Sequence, residues 1–89
     1  MTDVPRAIDA PDAIAAIDRL LVEMIAQQRR RVLDHARRLN GKLTDDDVQQ
    51  PQDFPELAAS PEWNYEDGIL AGYQAAQAAI RAELRRFGR

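Results

Sequence analysis

Apolar residues recur at three- and four-residue steps in two long stretches of this chain, and the rhythm fails between them. In the first stretch Ile14, Ile17, Leu20, Leu21, Met24 and Ile25 are continued by Val32, Ala36 and Leu39. That spacing places them on one side of a helix. Pro11 falls in the first turn, where proline is tolerated, with Asp9 or Ala10 as the cap and Asp12 near the positive end of the dipole. Asn40-Gly41 supplies a stop, since both residues accept the left-handed conformation that ends many helices. The pattern predicts a first helix over about 11–39, a rod of about 43 Å. Residues 1–10 read as a loosely held lead-in with Val4 and Ile8 as its anchors.

The second stretch carries Trp63, Glu66, Leu70, Tyr73, Gln77, Ile80, Leu84 and Phe87 in a three-four repeat, interrupted by its two polar members. Ser60-Pro61-Glu62 is the clearest helix start in the chain: a cap, a proline at the first position and an acid in the first turn. A second helix over about 61–87 is predicted, ended by Gly88. The connection 41–60 is long for a structureless loop, which favours short helical pieces. Thr44-Asp45-Asp46-Asp47 reads as a cap followed by first-turn acids, so one turn is expected at 44–49, ended by Pro51. Another turn is expected from Asp53, with Phe54 and Leu57 docking on the long helices. The predicted fold is all-α, one domain over 1–89.

Charge decides how the two helices lie. Residues 1–27 carry two Arg and five acids, net −3, and residues 28–39 carry five Arg and one Asp, net +4. Residues 40–67 carry one Lys and eight acids, net −7, and residues 78–89 carry four Arg and one Glu, net +3. Each long helix is therefore acidic at its start and basic at its end, as the macrodipole favours. An antiparallel hairpin sets opposite charges side by side, whereas a parallel pair sets like against like. Single exposed pairs contribute only about 0–1 kcal/mol, so the charges select the arrangement more than they stabilise it.

Composition narrows the function classes. The chain has 89 residues, 45% of them hydrophobic, and no cysteine, so a disulfide scaffold and a thiolate metal site are excluded. No run approaches the roughly 18 apolar residues of a membrane span, and the N-terminal residues lack the apolar core of a signal peptide, so a cytoplasmic location without membrane partners is expected. Arg29-Arg30-Arg31 with Arg37-Arg38 is basic enough for a nucleic-acid patch, but consecutive helical residues point about 100° apart. With an acidic balance overall and no aromatic among these arginines, a structural role is preferred and nucleic acid is not expected as a partner.

Fifteen residues are alanine, so bulky core-forming side chains are fewer than 45% suggests. They nevertheless occupy more than one side of each helix. Gly68 and Gly72 stand four apart inside the second helix, followed by Ala76, and each interior glycine costs about 0.8–1 kcal/mol against alanine. Close approach of another helix is one explanation, and a break at Gly68 is the other. Because a hairpin covers one stripe of each helix, a homodimer forming a four-helix bundle is expected, with Leu21, Met24, Ile25, Gly68, Gly72, Ala76 and Ile80 at the close contacts. A helix of another protein is the competing cover.

The segment Ile14-Ala15-Ala16-Ile17-Asp18-Arg19-Leu20-Leu21, with Met24-Ile25-Ala26 and Gln28-Arg29, resembles the opening helix of the all-helical chorismate mutases. The resemblance implies a small helical dimer that surrounds a dicarboxylate with cationic side chains. The positions aligned with those cations hold Pro11, Gln28 and Leu39 here, which points at most to a degenerate enzyme or a small-molecule-binding bundle. No other catalytic set emerges. His35 is the only histidine and no Glu precedes it by three residues, so neither a metal nor another cofactor is expected. Ser60 and Thr44 sit where caps belong, and Glu66-Asp67 where first-turn acids belong. The most distinctive stretch runs from Phe54 to Tyr73 and holds four of the five aromatics. It makes Phe54, Trp63, Tyr65, Glu66, Asp67 and Tyr73 the candidate binding residues, with Arg30, Arg31 and His35 opposite, and a small interaction or regulatory module the expected function.

Overall fold

The computed structural model describes residues 9–87. Val4, Ile8 and the Gly88 stop lie outside that range. Its elements are α1 (Ala10–Leu39), α2 (Asp45–Val48), a 3-10 turn (Pro51–Asp53), α3 (Pro55–Ala58) and α4 (Pro61–Phe87). The two long helices form an antiparallel hairpin. Asp18, early in α1, pairs with Arg81, late in α4, at 2.9 Å. Gln28, further along α1, donates to the Glu66 carbonyl near the start of α4 at 2.8 Å.

The ends of these helices follow the local chemistry with one correction. Asp9 is the α1 cap: its backbone is extended and its carbonyl accepts from the Ala13 N–H at 2.8 Å, but its side chain makes no capping bond. At the other end Asn40 is extended, with φ −153°, and no residue among those described has positive φ. The left-handed stop expected at Asn40-Gly41 is therefore absent. The Asn40 side chain takes over its task, with Oδ1 accepting from the Lys42 N–H at 3.0 Å and Nδ2 donating to Glu56 at 3.1 Å. That donated bond lowers the Glu56 carboxyl below its usual pKa.

The connection is held by caps and by apolar docking. Thr44 and Asp47 form a reciprocal capping box, the Thr44 N–H donating to the Asp47 carboxylate at 2.9 Å. Ser60 Oγ accepts from the Trp63 N–H at 3.1 Å, as its position before Pro61 predicts. Asn64 then reaches back from α4 to the Ser60 carbonyl at 2.7 Å and the Leu57 carbonyl at 3.2 Å, tying α3 to α4. Leu57 is fully buried and Phe54 packs against the same cluster. Both dock as the sequence indicates.

The core is confined to the connection end of the hairpin. Val32 and Ala36 of α1, Leu43 before α2, Val48, Leu57 and Trp63 form one buried cluster, flanked by Leu33, Phe54 and Leu70. Toward the open end, no residue of α1 before Ile25 is buried, and α4 buries only Trp63. Ile17 is 50% exposed, Leu20 56% and Phe87 78%. A radius of gyration of 17.8 Å, against about 12 Å for a compact chain of this length, reflects that elongated form.

α4 is continuous through Gly68, so the break is not realised. A Cβ placed on Gly68 or Gly72 would meet nothing within 4 Å, so nothing among the described residues makes the close approach. In the isolated hairpin Gly72→Ala should therefore stabilise by about 0.8–1 kcal/mol through helix propensity alone. Urea denaturation checks this. Destabilisation instead would mean that the glycine row is covered by another molecule.

Candidate functional site

Sequence reasoning gathered six residues into one site, and the structure divides them among several environments. Trp63 is fully buried at the centre of the core, and Phe54 is half-buried on its flank. Tyr65 is 70% exposed. With Glu66 it borders a shallow depression of about 310 Å³ that also includes His35, Pro61 and Glu62. Glu66 accepts a second bond from Gln28 Nε2, at 3.2 Å to its carboxylate, and that amide is itself buried. Tyr73 borders another depression with Met24, Arg31 and Ile69. Arg31 and His35 thus share these depressions with residues of the 54–73 stretch, whereas Arg30 borders neither.

Asp67 points about 160° away from Tyr65 around α4 and borders a separate cleft of about 380 Å³, lined from α1, α4, α2 and the 3-10 turn. Its apolar lining residues are Val32, Val48, Pro51 and Leu70. Its polar members come from three helices: Arg29 from α1, Asp45 at the start of α2 with Gln49 just beyond its end, and Asp67 and Gln74 from α4. Arg29 and Asp67 are separated by 38 positions yet border one cleft because the hairpin is antiparallel. Neither forms a side-chain ion pair among the described residues.

Burial raises the Asp67 carboxyl above its ordinary pKa. The folded state therefore holds this proton more tightly than the unfolded one. The sign follows: the stabilising contribution is complete below the unfolded pKa and is lost as pH rises through the folded pKa. Asp67→Asn should raise stability at neutral pH by less than about 1 kcal/mol, discounted for the partial exposure of the group. The gain should vanish near about pH 3, where both forms are neutral. Paired urea titrations at the two pH values check it.

No protein-family model matches the chain, and no curated protein or solved structure is significantly similar to it. The likeness of α1 to the chorismate mutases therefore rests on its own residues. Of the three aligned positions, Pro11 and Leu39 are exposed near opposite ends of α1, about 42 Å apart at helical rise. Gln28, the third, is committed to Glu66.

Sequence reasoning passed over the cleft. Arg29 was absorbed into a basic run, Asp45 into first-turn acids, and Gln49 carried no signal of its own. The available clue was Val48, an isolated apolar residue in an acidic tract, which is buried and draws α2 onto α1. No helix among the described residues is long and apolar enough to cross a membrane, and no group of three or more potential metal ligands occurs there.

Proposed function

We propose that this chain is a small helical interaction module that acts by homodimerisation, pairing two hairpins into a four-helix bundle that presents its surface to other proteins. The observation that carries the reading is the missing core in the open half of the hairpin. Ile17, Leu20 and Met24 recur at helical spacing along one side of α1, and Ile69, Tyr73, Ala76 and Ile80 along the same side of α4. Met24, Ile69 and Tyr73 border one depression between the helices, which puts both rows on the same side of the hairpin. Exposed rows of this kind mark surfaces that become buried on association.

A second copy is the occupant that fits best, because it brings a matching pair of rows of equal length. Isologous pairing would use the same pair of rows on both chains and close the assembly at two. Gly72 and Ala76 lie beside Ile69 and Ile80 on the helical wheel, so small residues flank the bulky ones where a partner helix would approach. Sedimentation equilibrium of the full chain tests the proposal. The expected result is the mass of two chains at micromolar concentration, dissociating on dilution. A single-chain mass throughout that range would overturn homodimerisation and leave a helix of another protein as the cover.

A further inference from the structure

The cleft containing Arg29 and Asp67 lies on the other side of the hairpin from these apolar rows and is complete within one chain. We propose that it binds an amino-acid-sized zwitterion, a small molecule carrying one carboxylate and at least one ammonium or guanidinium group, and that a basic amino acid suits it best.

Three features support the assignment. The first is the shape and chemistry of the space. About 380 Å³ falls at the lower end of the range for small-ligand sites, and the lining mixes apolar side chains with polar and charged ones, as suits a small polar ligand with an aliphatic part. The second is a pair of opposite charges that form no side-chain ion pair among the described residues. Arg29 can take a carboxylate through its planar fork, and Asp67 can take an ammonium. Asp67 is half-buried and poorly solvated, so a cation arriving there replaces hydration that folding has already removed.

The third feature is the charge balance of the lining, where two carboxylates, Asp45 and Asp67, face one guanidinium. That set repels phosphates and dicarboxylates and favours a ligand with one more positive than negative group. Gln49 and Gln74 can each both donate and accept, which suits the remaining polar atoms of an amino acid. The fold also fixes the arrangement. The Thr44–Asp47 capping box and buried Val48 hold α2 in place, so Asp45 is positioned before any ligand arrives.

The test is a titration of the full chain with free lysine, arginine, leucine and glutamate, followed by amide chemical shifts and by calorimetry. Lysine or arginine should bind saturably, with shifts centred on Val48, Asp67 and Leu70, and at least about tenfold more tightly than glutamate. Asp67→Asn and Arg29→Gln should each weaken that binding by about tenfold or more while the far-ultraviolet circular dichroism stays unchanged. Absence of saturation by either basic amino acid up to about 50 mM would overturn the assignment. So would glutamate binding as tightly as lysine, or an affinity that neither substitution changes. The outcome is independent of self-association, because monomer and dimer carry the same cleft.

Discussion

Trp63→Ala should remove most of the stability of this chain and leave it unfolded or loosely collapsed at room temperature. Trp63 is the largest fully buried side chain and touches a core drawn from α1, the connection and α4. Truncating a buried tryptophan costs about 3–5 kcal/mol through lost transfer energy and the cavity left behind. A domain of this length holds only about 4–13 kcal/mol in total. The core here contains few large side chains, which places the chain at the lower end. A melt followed by circular dichroism should show the cooperative transition lost or shifted sharply downward.

Trp63→Phe gives the contrast. The indole Nε1 is buried and has no hydrogen-bond partner among the described residues, so no such bond adds to the stability that the side chain confers. Phenylalanine keeps most of the apolar contact and removes that unsatisfied group. It should therefore cost clearly less than alanine. Equal losses for the two variants would show that the indole N–H finds an acceptor in solution.

The second large effect is expected at Leu20. Leu20→Glu should weaken self-association by at least about 100-fold, because an unpaired carboxylate would be carried into an apolar contact. The same substitution should leave the single hairpin folded, since Leu20 is more exposed than covered there. Val22→Glu is the control. Val22 is 47% exposed, yet it lies two residues from Leu20 and points about 160° away from it. It should leave the dimer intact.

Sedimentation equilibrium of the three proteins separates the outcomes. Equal weakening by both substitutions would mean that the contact is not organised along the Ile17–Leu20–Met24 row. Stability offers an independent readout, because a dimer that contributes to folding makes the melting temperature rise with concentration. Leu20→Glu should abolish that dependence.

The parts of the fold that were legible in the sequence share a physical origin. α1 and α4 were readable because apolar periodicity, Pro11, Ser60-Pro61 and the charge blocks are local signals that agree with one another. The antiparallel arrangement followed from charge order and is realised in the Asp18–Arg81 and Gln28–Glu66 contacts. The stop after Leu39 was legible in position but not in mechanism. Asn40 works through side-chain bonds to Lys42 and Glu56, and Glu56 is 16 positions away.

The candidate site was much less legible. The aromatic stretch 54–73 looked like one surface because its residues are neighbours in the chain, but helical rotation sends Trp63 inward, Tyr65 outward and Asp67 to the far side.

The sequence alone therefore determined the two long helices with their ends to within a residue or two, their antiparallel order, and two short helical turns in the connection, but not the 3-10 turn Pro51–Asp53 between those turns. These depend on backbone propensity, capping and charge, which act over a few residues or along a whole helix. Only the tertiary structure decided that the core gathers at the connection end, that no described residue covers the glycine row, and that Arg29 and Asp67 share a cleft. Those outcomes depend on where α2 and α3 dock, and that docking is fixed by Val48 and Leu57 packing against residues distant in sequence.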